Sequence, residues 1–168
     1  MTGSGEIAKA VLAGVAALLI VVPPALAQQK SQAAVQTSKK PAVSQKKPHH
    51  LVLQVNTNEP ATMNLALNNA ANVAQYYKDL GEKVEIEIVT FGPGLHMLRD
   101  DTSPVKARIK AITASTPAIS FKACGNTQEN MGKTENKEIA LIPEASVVKS
   151  GVVRVMELQE RGWAYVRP

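Results

Sequence analysis

Cys124 is the single cysteine of this 168-residue chain, and the residue types around it are those a reactive thiol uses. The thiolate is the nucleophilic form, and a helix start or a nearby cation lowers the pH at which it appears. Ala118 to Ala123 reads as a strand running into Cys124, and Gly125-Asn126-Thr127 follows. Asn126 with Glu129 three residues on has capping-box spacing, which predicts a short helix beginning there. Cys124 would then lie between a strand end and a helix start, where N–H groups and the helix dipole favour negative charge. Lys122, two residues back, shares the Cys124 face of the strand and would add a cation. Gly125 would let a second molecule approach the sulfur closely. The competing reading is an inert thiol, since free cysteine is among the most buried residue types. Placement at a strand end favours the reactive reading.

Several chemistries are excluded. One cysteine allows neither a Cys-x-x-Cys couple nor an internal disulfide. A phosphatase-like or rhodanese-like loop would be closed by an arginine about six residues on, where Asn130 stands. His96, shortly after Gly94, is a candidate base on the same rim, although such a histidine more often sits on a helix surface. His49 and His50 point apart along a strand and so make a poor metal pair. Gly92-Pro93-Gly94 lacks the third glycine of a dinucleotide fingerprint, and its proline removes an N–H that phosphate would use. Tyr76, Tyr77, Trp163 and Tyr165 are too scattered for a base-stacking platform. No cofactor and no metal are expected, and no nucleic-acid partner.

The elements that must position Cys124 alternate along the chain. His50 to Val55 is a short apolar strand. Pro60 suits a first helical position, and Met63, Leu67, Ala70, Val73, Ala74, Tyr77 and Leu80 recur at helical spacing up to Gly81. Val84 to Phe91 is a second strand whose Glu85 and Glu87 alternate with Val84, Ile86 and Ile88, which predicts one wet face and hence an edge position. After the Gly92 to Gly94 turn come a short helical piece, Leu95 to Arg99, and a helix after Thr102 or Ser103 bearing Val105, Ile109 and Ile112. Pro117 forces extended backbone into the third strand. Ile139 to Ile142 and Ser146 to Val148 are short extended segments. Ser150 starts a last helix with Val152, Val153, Val155, Met156 and Leu158, ended by Gly162, and Trp163 to Val166 is the final strand.

This alternation predicts a single α/β domain over residues 49–168, a parallel five-stranded sheet with helices on both faces. A flavodoxin-like strand order 2-1-3-4-5 would put the Glu85/Glu87 strand at the edge. Ligands would then bind beyond the carboxyl ends of strands 1 and 3, at the switch point. That rule selects Asn56, Thr57 and Asn58 after the first strand and Cys124, Gly125, Asn126 and Thr127 after the third, with Gly92 and Gly94 on the same rim.

The amino-terminal quarter has a different character. Ala10 to Val22 is an apolar run of 13 residues broken only by Gly14, shorter than the roughly 20 a membrane span needs. Pro23-Pro24 and then Ala25-Leu26-Ala27 follow, so residues 1–27 read as a cleaved signal peptide with Gln28 as the mature terminus. The expectation is a periplasmic or otherwise exported protein without a membrane span in its mature chain. Residues 28–48, rich in Gln, Ser, Lys and Ala, read as a disordered basic linker. Lys30, Lys39, Lys40, Lys46 and Lys47 account for the net charge of +5, because residues 49–168 carry 13 basic and 13 acidic residues.

Asn72-Val73, the run Val89-Thr90-Phe91-Gly92-Pro93-Gly94, the run Phe121-Lys122-Ala123-Cys124-Gly125-Asn126-Thr127 and the ending Val152 to Tyr165 together resemble the DsrE/DsrF-like family of small sulfur-relay proteins. The resemblance spans about residues 50–168, in order. It implies a YchN-like parallel α/β fold and a homo-oligomer, a trimer or hexamer. It also implies that a cysteine at the Cys124 position carries sulfane sulfur as a persulfide between a sulfur donor and an acceptor, as a sulfur carrier or sulfurtransferase. The signal segment departs from cytoplasmic relays, whose acceptors an exported chain would not meet. The alternative is a non-catalytic oligomer that binds a small ligand or a partner, with Cys124 structural.

Overall fold

In the computed structural model, residues 47–168 are described. The signal segment expected at 1–27 and all but the last two residues of the linker expected at 28–48 lie outside the described residues. Each strand is followed by a helical connection: β1 (His49–Val55), α1 (Pro60–Asp79), β2 (Val84–Thr90), a 3-10 helix (Gly92–Leu98), α2 (Lys106–Ser115), β3 (Ile119–Cys124), α3 (Gly125–Glu135), β4 (Ala145–Val148), α4 (Gly151–Glu160) and β5 (Ala164–Val166). Pro60 stands at the start of α1, as its missing N–H predicts.

All four strand pairings are parallel, and the sheet order is β4-β3-β2-β1-β5. The all-parallel five-stranded sheet with helices on both faces agrees with the sequence reading; the flavodoxin-like order does not. From β1 to β4 the chain steps in one direction across the sheet. It then crosses back over the other face to add β5 beside β1. Right-handed crossovers put successive same-direction connections on one face and the returning connection on the opposite face.

Burial follows that route. On one face Leu51, Leu53, Val55, Ile86, Ile88 and Phe121 pack against Met63, Leu67 and Ala70 of α1, Leu95 and Leu98 of the 3-10 helix, and Ile109 of α2. Fully burying a side chain of this size contributes roughly 1.5–3 kcal/mol, so this is the principal core. On the other face, Val52 and Val89 meet only Val155 and Leu158 of α4, flanked by Phe91 and Trp163.

The second strand is therefore central, and its Glu85/Glu87 alternation has another cause. Glu85 is exposed. Glu87 is buried at 8% exposure and accepts two hydrogen bonds from the Arg154 guanidinium of α4, at 2.9 and 2.5 Å. A sheet face covered by one helix has room for a polar pair that an apolar face would expel.

Candidate functional site

The route of the chain sets the site. α3 leaves the carboxyl end of β3 toward the principal core, whereas α4 leaves the adjacent β4 toward the opposite face. Neighbouring strands whose helices diverge in this way define a switch point. That switch point lies between β3 and β4 rather than between the first and third strands, where the sequence reading put it. Cys124 is the last residue of β3 and stands at this divergence.

Cys124 is also the residue that precedes the first turn of α3, while Ser150 holds the same place before α4. The backbone N–H groups of Asn126 and Thr127, from the first turn of α3, favour the Cys124 thiolate. So do the N–H of Gly151, the first residue of α4, and the Thr127 hydroxyl. Two helix starts thus meet at Cys124. First-turn N–H groups have no partner within their helices, and each helix adds the positive end of its dipole. Burial pushes the Cys124 thiol up, but the Thr127 hydroxyl and the N–H groups of Gly151, Thr127 and Asn126 outweigh it, and the thiol is held below its ordinary value.

Gly151 makes this approach possible. A Cβ there would lie 2.8 Å from Phe91 Cδ1, 3.0 Å from Phe91 Cβ and 3.2 Å from Cys124 Cβ. Gly125 is similarly tight, with a Cβ falling 3.2 Å from Val147 Cγ1 and 3.3 Å from the Val148 carbonyl oxygen. It serves close packing of α3 against β4 rather than the open approach expected of it. The Asn126 N–H also donates to the Lys149 carbonyl oxygen at 3.2 Å, tying the two helix starts together.

Of the residues singled out from the sequence, Cys124, Gly125, Asn126, Thr127 and Gly92 come together. Gly92 joins through its N–H, which donates to Thr127 Oγ1 at 3.0 Å. Gly94 packs on the end of β1, where a Cβ would stand 2.8 Å from Asn56 Cα, so Gly94 and Asn56 share that rim. Asn58 is exposed beyond it. Neither Asn56 nor Asn58 is among the groups that hold the thiol down.

Two expectations are corrected. The Lys122 ammonium donates to Ser146 Oγ on β4 at 3.0 Å and takes no part in lowering the thiol, because its long side chain finds a partner across the strand pair. Asn126 lies inside α3 and makes no capping box with Glu129; the residue before the helix is Cys124, and it makes no side-chain cap. His96 hydrogen-bonds Thr102 Oγ1 at 2.8 Å rather than the sulfur. Sequence reasoning missed Gly151, whose only signal was a glycine directly after Ser150 at the start of an apolar helical pattern.

A pocket of about 600 Å³ lies beside the two helix starts, lined by Asn126, Val148, Lys149, Ser150, Val153, Arg154 and Glu157. Another, of about 690 Å³, occupies the opposite, amino end of the sheet, where His49 stacks on Tyr77 at 3.9 Å and His50 lies 4.8 Å from Trp163. Cys124 itself is buried, at 4% exposure. Among the described residues, no group of three or more His, Cys, Asp or Glu side chains is placed to hold a metal ion, and no helix is long and apolar enough to cross a membrane.

No protein-family model matches the chain, and no curated protein matches it. Among solved structures, the chain is similar to a protein of unknown function from Methanobacterium thermoautotrophicum, MTH1491, at 28% identity, with a TM-score of 0.60, covering 71% of this chain and 99% of that one. It also matches a conserved protein of unknown function from Bacteroides thetaiotaomicron, BT1422, at 19% identity, with a TM-score of 0.46, covering 71% of this chain and 94% of that one. The first likeness spans nearly the whole of its counterpart and accords with the α/β fold described above.

Proposed function

We propose that this chain is an exported sulfur carrier, a sulfurtransferase-like protein that holds sulfane sulfur on Cys124. The observation that carries the reading is the convergence of the α3 and α4 starts on Cys124, where their N–H groups and the Thr127 hydroxyl favour the thiolate. Such a set stabilises an anion without neutralising it, which suits a sulfur that must attack, carry and release. The resemblance to the DsrE/DsrF-like family points the same way.

The reaction balances without an outside oxidant. The Cys124 thiolate attacks the outer sulfur of a persulfide donor R–S–SH. A bond forms between Sγ and that sulfur, the donor's S–S bond breaks, and its electron pair leaves on R–S⁻. Cys124 then carries –S–SH. A nucleophilic acceptor takes the outer sulfur in the same way and returns the thiolate.

One observation favours the alternative, a non-catalytic oligomer that binds a small ligand or a partner, with Cys124 structural: Cys124 is only 4% exposed. Intact mass of the folded protein after incubation with polysulfide or thiosulfate separates the two. The carrier gains the mass of sulfur at Cys124 and loses it to a reducing thiol. A protein that gains none, and whose Cys124 reacts with a thiol reagent only after unfolding, is the alternative.

A further inference from the structure

Rings that lie far apart along the chain meet at the amino end of the sheet. α1 runs back toward the start of β1, so Tyr76 and Tyr77 in its last turn come beside His49 and His50, the first residues of that strand. β5 pairs with β1, which brings Trp163 in from the other side. Three of the six aromatic residues and two of the three histidines gather here. His49 stacks on Tyr77 at 3.9 Å and 16°, Tyr76 meets Tyr77 edge-on at 5.3 Å and 82°, and His50 leans on Trp163 at 4.8 Å. A hydrogen bond of 2.7 Å between His49 Nε2 and Glu82 Oε2 fixes one end of the stack.

His49, Tyr76 and Tyr77 line the cavity of about 690 Å³ at this end, together with Leu51, Val73 and Ala164. Small-molecule sites span roughly 300–1,000 Å³, so the volume suits a small ligand. Tyr76 is 62% exposed, which leaves its ring open to a second molecule. No Lys, Arg, Asp or Glu lines the cavity; Lys78, Lys83, Glu82 and Glu85 border the neighbouring hollow instead. An ion entering it would lose water without gaining a counter-charge, a cost a neutral molecule escapes. The Asn72 amide and the Tyr76 hydroxyl line it without a hydrogen-bond partner among the described residues, so a ligand's polar group has somewhere to bind. A flat ring packs on other rings offset-stacked or edge-on, the two arrangements already present here.

We propose that this cavity is a second site, which binds an uncharged, flat aromatic molecule carrying one hydrogen-bonding group. Phenol is the simplest member of that class. The inference is independent of the reading of Cys124, which stands at the opposite, carboxyl end of the sheet.

The test is a titration of the full chain with phenol at pH 8, read by the proton resonances of the histidine rings. His49 and His50 line the cavity, and His96, bonded to Thr102 outside it, is the internal control. The His49 and His50 signals move and saturate, with half-saturation near about 1 mM, which is within reach of so small a ligand. Cyclohexanol, which has the hydroxyl but no aromatic ring, binds at least about fivefold more weakly, and so do the anion benzoate and the cation benzylammonium. Tyr76→Leu, at an exposed position that the fold does not depend on, weakens phenol by a similar factor, and Tyr76→Phe, which keeps the ring, weakens it less. Shifts that never saturate, that move His96 equally, or that persist unchanged in Tyr76→Leu overturn the site. Cyclohexanol binding as well as phenol overturns the aromatic class, and tighter binding of benzoate or benzylammonium overturns the uncharged one. His49 and His50 signals that move on dilution of the protein alone show that a second copy covers this face, which also overturns the proposal.

Discussion

Arg99 and Cys124 are both buried, at 1% and 4% exposure, yet their surroundings treat charge in opposite ways. The Arg99 guanidinium donates to both carboxylate oxygens of Asp101, at 2.9 and 2.8 Å, and to both of Glu135, at 2.5 and 2.8 Å. Its charge is matched by full opposite charges, and Lys137 closes the cluster at 2.9 Å from Asp101. The groups that favour the Cys124 thiolate are N–H dipoles and a hydroxyl, none of them a full opposite charge. A group whose charge is cancelled is held for structure, because moving it would strand its partners. A group whose charge is favoured but left whole can still be used. Arg99 joins the segment after the 3-10 helix to the far end of α3, the helix whose first turn faces the sulfur. One helix is thus fastened at one end by ion pairs and offers its dipole at the other.

The largest effect comes from breaking the fastened end. Arg99→Ala removes four charge-assisted hydrogen bonds and leaves a cavity in a closed site, and it should cost about 3 kcal/mol in denaturant unfolding. The Arg99 hydrogen bond chiefly holds the Glu135 carboxyl down to about 2. An unfolded glutamate titrates near ~4.3. The Glu135 contribution is therefore present above about pH 4.3 and is lost as pH falls toward 2. Arg99→Ala should flatten the acid limb of stability over that window while the thiol titration stays put. A thiol shift of comparable size would mean that the two ends of α3 act as one unit.

The next effect falls on the other helix. Gly151→Ala places a methyl 2.8 Å from the Phe91 ring, which must give way or push the start of α4 outward. Overpacking of this kind costs roughly 1–3 kcal/mol. Because the Gly151 N–H is one of the groups that hold the thiol down, the thiol titration should also move upward. Loss of stability with an unmoved titration would show that α3 alone holds the thiolate.

The difference between these regions marks what the residues could disclose. The Cys124-Gly125-Asn126-Thr127 run was legible because a strand pattern ends and a helix pattern begins on adjacent residues. The contribution of α4 was not, because it depends on β4 lying beside β3, and strand order is a long-range property. Glu85 and Glu87 suggested an edge because alternation reports a wet face without saying why it is wet; the cause is a face covered by one helix, with Arg154 reaching Glu87. Arg99 carried no signal, since an arginine after an apolar stretch gives no sign that Asp101 and Glu135 will close around it.

The smallest effect is the most diagnostic. Cys124→Ser keeps a similar side chain beside the same two helix starts, so near neutral pH the change should cost less than about 1 kcal/mol. The sign with pH then separates a poised thiol from an inert one. Cys124 is held below its ordinary value in the folded protein, and in the unfolded chain it ionises near ~8.5. A depressed acid adds stability that is fully present above the unfolded value and is lost as pH falls through the folded one. The original chain should therefore gain on Cys124→Ser as pH rises from the folded thiol value toward about 9. Unfolding midpoints of both proteins across that range measure it. A gap that stays constant would mean that the thiol ionises alike in folded and unfolded chains, and the converging helix starts would then be a packing solution. A gap that closes as pH rises would mean that burial outweighs the donors, and Cys124 would be the inert thiol of the alternative reading.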